Sequence, residues 1–230
     1  MTDQPRILNV RQKVLKKNDE LARALRQRFD DAGCCAISLV SGPGSGKTEL
    51  LKQTASALVA DYNVAILVGD LRTENDAKRL AESGAAVRQI ETGTVCHLEA
   101  AMVEAHLKQW CLSELDFLLI ENVGNLVCPS TFDLGEDHRV VAVSTAEGED
   151  KPLKYPTIFN TADDAVVTKM DLAEPLGFDR QTMRQNIEDV RPGMPVYEVA
   201  ATTGQGMDSW LEALRAVHQR KRRTTAPASA

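Results

Sequence analysis

Four groups of residues in this chain have the types and spacing that chemistry needs. The first is Ser41-Gly42-Pro43-Gly44-Ser45-Gly46-Lys47-Thr48. It follows the apolar run Cys34–Val40 and precedes a helical pattern from Glu49, the strand–loop–helix context of a phosphate-binding loop. Gly42, Gly44, Ser45 and Gly46 would bring backbone amides against phosphate oxygens, aided by the positive end of the helix dipole. Lys47 would reach the outer phosphates and the Thr48 hydroxyl would ligate Mg²⁺. One position departs from the usual pattern: Ser41 stands six residues before the lysine, where glycine is standard, and Gly42 follows it.

The second group is Thr168-Lys169-Met170-Asp171, directly after the strand pattern Ala165–Val167. It matches the guanine-reading Asn-Lys-x-Asp with Thr in place of Asn. The Asp171 carboxylate would accept from guanine N1–H and the 2-amino group, a donor pair adenine lacks, while Lys169 would pack along the base. Ala200-Ala201-Thr202-Thr203-Gly204 stands where a Ser-Ala loop would contact the base. Acidic residues form the third group. Asp70 and Glu121 each end an apolar strand pattern, and Asp76 opens a helix. One such carboxylate would hold Mg²⁺ and another would orient the attacking water; the sequence alone does not rank the three.

The fourth group is Cys96-His97 with Cys128. These residue types suit Zn²⁺ and Ni²⁺. Three ligands do not close a tetrahedral structural site, so the set implies either an open, exchangeable site or one completed by a second subunit. The competing reading is two partly buried thiols and a helix-capping histidine. Cys34, Cys35 and Cys111 fall in apolar patterns and read as core. His106, His138 and His218 are isolated and read as surface residues. Lys151 and Lys154 could meet phosphate or a partner subunit, or be solvated.

Strands and helices that alternate would position these groups. An amphipathic helix is expected over 6–30, carrying Val14, Leu15, Leu21, Leu25 and Phe29. Strands are expected at 34–40, 64–68, 86–90, 115–120, 139–143, 165–167 and 196–199, and helices to about 60 and over 74–83, 98–112, 178–189 and 207–220. Fully apolar strands joined by helices imply an α/β fold with a mostly parallel sheet covered on both faces. Ligands then sit at the carboxyl ends of the strands, where Asp70, Glu121 and Lys169 fall. The division expected is an N-terminal helical segment over 1–33, a P-loop domain over 34–220 and a disordered basic, small-residue tail over 221–230.

Composition agrees with a compact enzyme: 230 residues, 43% hydrophobic, net charge −6. That acidity speaks against a basic nucleic-acid-binding surface. No apolar run approaches the length of a membrane span and no signal peptide is apparent, so a cytoplasmic location is expected. Five cysteines, an odd number, suggest reduced thiols and metal ligands, not a disulfide framework.

Together, GPGSGKTELL, GDLRTENDAKRL, ETGTVCHLEAAMV, LLIENVGNLVCPSTFDLG, EGEDKPLKYP and TGQGMDSW resemble the HypB family of GTPases that assist nickel insertion into [NiFe]-hydrogenase, from about residue 7 to residue 215. The resemblance implies a SIMIBI-class P-loop fold, hydrolysis of GTP to GDP with Mg²⁺, and nucleotide-promoted homodimerisation. It also implies a Ni²⁺ or Zn²⁺ site of Cys96, His97 and Cys128 at the dimer interface. Its implied partners are the hydrogenase large subunit and a nickel-insertion accessory protein. Residues 1–33 contain no Cys or His, so the N-terminal nickel motif of many members is not expected there. A urease-type nickel GTPase, a small-molecule kinase, and a GTP-dependent switch with structural Cys and His remain as rivals. Glu121 and Cys128, seven residues apart, would couple nucleotide state to metal affinity.

Overall fold

The computed structural model describes residues 4–70 and 75–225, with 4–11 as backbone. Its centre is a sheet of seven parallel strands, β1 (Cys35–Ser41), β2 (Val64–Asp70), β3 (Ala86–Glu91), β4 (Phe117–Glu121), β5 (His138–Ser144), β6 (Asp164–Thr168) and β7 (Val196–Glu198). They lie in the order β3-β2-β4-β1-β5-β6-β7. The helices are α1 (Gln4–Ala32), α2 (Lys47–Leu58), α3 (Asn75–Ala81), α4 (Ala100–Leu107), α5 (Lys151–Lys154), α6 (Pro156–Thr161), α7 (Arg180–Val190) and α8 (Met207–Thr225). Parallel strands cannot be joined by tight turns, and the chain between them supplies the helices that cover both faces. The α/β expectation and all seven expected strands are present, with ends shifted by one or two residues.

Strands β1, β4, β5 and β6 are buried at every residue, in keeping with their largely apolar runs. On one face Leu50, Leu58, Ile66, Phe117, Leu119, Trp210 and Leu214 pack together under α2 and α8. On the other, Leu25 and Phe29 of α1 and Val103 and Leu107 of α4 close over Leu67, Leu118 and Ile120. A third cluster around Val141, Phe159, Val167 and Ile187 seats α6 and α7. Central β1 is flanked by β4 and β5, so the loop after β1 emerges between diverging connections, where an open α/β sheet has its binding crevice.

Some expectations are corrected. The helix expected over 98–112 is shorter, starting at Ala100 and ending at Leu107, so Cys96 and His97 lie before it in irregular chain. Helices α5 and α6 were not anticipated; each has proline in its first turn, where the missing N–H costs nothing. Helix α8 runs through Thr225, five residues into the segment expected as a tail. The reason is Lys221, which is buried and ion-paired with Asp30 and with Asp137 at 2.6 Å. Residues 226–230 and 71–74, which include part of the GDLRTENDAKRL block, lie outside the described residues. Cys111 is exposed, not core. His138 is buried with Nε2 2.7 Å from Asp164, and His218 is buried against Phe117 and Tyr62; neither is a surface residue.

Candidate functional site

The loop after β1 is shaped by two glycines. Gly44 has φ 74° and Gly46 has φ 86°, a left-handed region other residues enter at a cost. Gly46 is the N-cap of α2, so Lys47 and Thr48 open the helix with its unpaired N–H groups facing the loop. Ser41, where glycine is usual, is fully buried as the last residue of β1. Its hydroxyl accepts from Ser45 Oγ at 2.7 Å and donates to the Gly42 carbonyl at 3.0 Å. A Cβ at Gly42 would lie 2.6 Å from Glu147 Oε1, so a side chain there would displace the end of the Glu147 side chain.

Glu121 ends β4 beside this loop. Thr48 Oγ1 donates to its Oε1 at 2.8 Å and Lys47 Nζ lies 3.5 Å from the same oxygen. The carboxylate is 1% exposed, and its other oxygen has no hydrogen-bond partner among the described residues. Burial raises its pKa to about 7 against the opposing pull of Lys47 and Thr48, with a further upward push from Asp76. A buried carboxylate oxygen left unpaired beside the Thr48 hydroxyl is an oxygen donor set that fits a hydrated divalent cation, while the Lys47 ammonium suits a phosphate oxygen. Asp70 ends β2 two residues past Val68, which is in register with Glu121, so both carboxylates stand at the same edge of the sheet. Asp76 lies in the first turn of α3.

Beyond β6 the chain turns sharply. Lys169 takes a left-handed φ of 57°, and its Nζ donates to the Gly44 carbonyl at 2.6 Å. Thr168 Oγ1 donates to the Ser45 carbonyl at 2.5 Å, so the threonine braces the phosphate loop as the absent asparagine would. Lys169, exposed Asp171 and Leu172 then line a cleft of about 260 Å³ with Gly46, Ala201 and Thr202. Its lining, the Asp171 carboxylate beside the aliphatic stem of Lys169 and Leu172, has the chemistry that suits a purine ring. Lys151 and Lys154 are not part of it: they pair with Glu147 at 3.8 Å and Asp150 at 2.5 Å.

The three metal-ligand candidates converge. The ligand atoms of Cys96, His97 and Cys128 all lie within 4.8 Å of one another. The two sulfurs are 2.8 Å apart, and Cys96 Sγ is 4.0 Å from His97 Nδ1. Adjacent side chains can converge here because Cys96-His97 precede α4 instead of lying on it. The segment is pinned from the other side: Asn122 Oδ1 accepts from Leu98 N at 3.0 Å, and Asn125 Nδ2 donates to the Cys96 carbonyl at 3.4 Å. Phe132 lies against the His97 ring at 3.9 Å between centroids. Burial lowers the His97 pKa, with Glu99 at 3.6 Å opposing, so the ring tends toward the neutral form a metal requires. Two thiols and an imidazole suit Ni²⁺ or Zn²⁺ and leave at least one coordination position for another donor.

A sequence profile described as CobW/HypB/UreG, nucleotide-binding domain, matches residues 36–198. The hydrogenase maturation factor HypB of Rhizobium leguminosarum bv. viciae is 45% identical over 212 residues, covering 91% of this chain and 71% of that protein. The chain belongs to the HypB family. Two solved HypB structures share its fold. That of Archaeoglobus fulgidus superposes with a TM-score of 0.82 at 37% identity, covering 88% of this chain and 99% of the other. That of Helicobacter pylori, in complex with nickel, gives 0.83 at 36%, covering 93% and 99%. The P-loop fold expected from the sequence is therefore that of the HypB family. Asn122 and Asn125, which join the two halves of the Cys/His cluster, escaped the sequence reading. Their signal was two amides inside an otherwise apolar stretch between Glu121 and Cys128.

Proposed function

We infer that the protein is a GTP-hydrolysing metallochaperone that hands nickel to a hydrogenase precursor, with GTP-dependent dimerisation gating the metal. One observation carries the reading: a single segment, Glu121 to Cys128, touches both candidate sites. Glu121 bonds Thr48 of the phosphate loop. A Cβ on Gly124 would stand 3.1 Å from Pro43 Cα and 3.5 Å from Lys47 Nζ, so this backbone lies directly on the loop. Cys128 then meets Cys96. A change at the outer phosphate thus has a short covalent path to one metal ligand, and coupling by that path is reciprocal.

In this reading Lys47 holds the outer phosphates, and the backbone of Gly42–Gly46 cradles the inner ones. Asp171 selects guanine, and Lys169 covers the base. Thr48 and Glu121, with Asp70 or Asp76, hold Mg²⁺, which supplies charge neutralisation on the phosphates when bound. Another of these carboxylates orients the attacking water. Nickel is cargo on Cys96, His97 and Cys128, completed by a donor from a second copy. Support for a second copy comes from the ligand count, since three protein ligands leave a coordination position that another donor can fill. The partners in this reading are the hydrogenase large subunit and a nickel-delivering accessory protein.

The test is Ni²⁺ affinity and sedimentation with GDP and with a non-hydrolysable GTP analogue, for wild type and a C96A/C128A variant. Metal binding lost in the variant and dependent on nucleotide in wild type is expected. Equal affinities with the two nucleotides would refute the coupling.

A further inference from the structure

Among the described residues of α1, the buried stripe contains one polar residue. Ala22, Leu25 and Phe29 recur at helical spacing on its packed face, and Asn18 stands one turn before Ala22, 4% exposed. A buried amide must find both a donor and an acceptor, and Asn18 finds them on two different segments. Its Oδ1 accepts from the Ala100 backbone N–H at 2.9 Å, and its Nδ2 donates to the Asp133 carbonyl at 2.8 Å. Ala100 begins α4, three residues after His97. Asp133 follows Phe132, whose ring lies on His97, and comes five residues after Cys128.

Glu99 is the N-cap of α4, yet its side chain caps nothing and instead lies 3.6 Å from His97 Nε2. Asn18 supplies from another helix an acceptor for the Ala100 N–H, one of the donors that a helix start leaves without an intrahelical partner. The second arm is reinforced by Arg26, one further turn pair along α1, whose guanidinium holds the Asp133 carboxylate at 2.8 Å. Helix α1 therefore reaches the segments that carry both halves of the Cys/His cluster.

We propose that Asn18 is a positioning residue for the metal cluster, fixing the Cys96-His97 segment and the Cys128 segment at the separation that one metal ion requires. The proposal rests on the metal-site reading of those three ligands. No other side-chain type of this size offers one donor and one acceptor on a planar fork. Leucine would match the shape and leave both backbone groups without partners. The loosening acts on where the ligands stand, so it appears in metal binding before it appears in nucleotide binding.

The experiment compares wild type, N18L, N18S and L25A, each nucleotide-free and with GDP. Leu25 packs on the same helix face but makes no side-chain hydrogen bond to either segment, so L25A controls for a merely weakened α1. Ni²⁺ affinity is read by competition with a chromophoric chelator and the site's geometry by the thiolate-to-nickel absorption band. GDP affinity reports an intact domain. N18L should weaken Ni²⁺ binding about tenfold and diminish the band, with GDP affinity within about twofold of wild type. L25A should leave the Ni²⁺ affinity within about twofold. N18S, smaller and polar, decides the matter if the leucine variant does not fold. Wild-type nickel binding and an unchanged band in the Asn18 variants would overturn the proposal, as would an equal loss in L25A. A C96A/C128A variant that binds Ni²⁺ like wild type would instead overturn the metal-site reading, and this inference with it.

Discussion

At the scale of single residues, two carboxylates carry opposite environments. Asp171 is exposed at the rim of its cleft, free to present two acceptors to a ring. D171N should weaken GTP binding about a hundredfold, since two hydrogen bonds to a charged acceptor are together worth about 3 kcal/mol. It should at the same time improve XTP binding, because the amide can donate to the 2-oxo group of xanthine. Titration calorimetry with both nucleotides checks this, and unchanged GTP affinity would remove Asp171 from the base site. Glu121 is the reverse case, a carboxylate whose pKa burial raises from 4.5 to about 7. A raised carboxylate contributes its full stability below about pH 4.5, and that contribution is lost as pH rises through 7. In the metal- and nucleotide-free protein the loss is on the order of 3 kcal/mol. Urea unfolding at pH 5 and pH 8 should therefore show a smaller pH difference in E121Q than in wild type. Parallel changes in the two proteins would refute it.

At the scale of elements, α8 and α1 are tied by a buried cation. Burial works against the Lys221 ammonium, but its bonds to Asp137 and Asp30 outweigh that and raise its pKa. Asp137 also accepts from Ala36 N at 2.8 Å, so the lysine joins two helices to the start of β1. K221M keeps the stem's packing and strands the Asp137 carboxylate. It should destabilise the fold by about 3 kcal/mol, read as a lower urea midpoint at unchanged slope. A midpoint within experimental error of wild type would show that the pair contributes nothing. Helix α1 was legible in the sequence from its apolar spacing. Its links to the chemistry, Asn18 and Arg26, were not, because a polar residue on a helix reads as solvated until its partners, 82 to 115 positions away, are known.

At the scale of the whole molecule, the segment between Glu121 and Cys128 is the bridge between phosphate loop and metal cluster, and Gly124 is its closest approach. An added methyl would meet Pro43 backbone at 3.1 Å, tighter than such contacts usually are, so one of the two segments must yield. G124A should weaken GTP-analogue binding about tenfold. It should also bring the ratio of Ni²⁺ affinities with GTP analogue and GDP close to one, measured by chelator competition. A wild-type ratio would place the coupling elsewhere. The sequence by itself determined the sheet: seven apolar runs separated by helical patterns admit few arrangements other than a parallel α/β layer. It determined as well the phosphate loop, whose glycines, lysine and threonine act within eight consecutive positions. Glu121, Cys96, His97 and Cys128 were legible as chemistry-bearing types, and the family resemblance, not their spacing, implied that the two cysteines and the histidine share one site. Their convergence, the burial that lifts Glu121, the bracing of Ser45 by Thr168 and the extension of α8 to bury Lys221 were decided by the tertiary structure. Each depends on contacts between residues far apart in the chain, and burial and distance across such separations are properties of packing that no local pattern encodes.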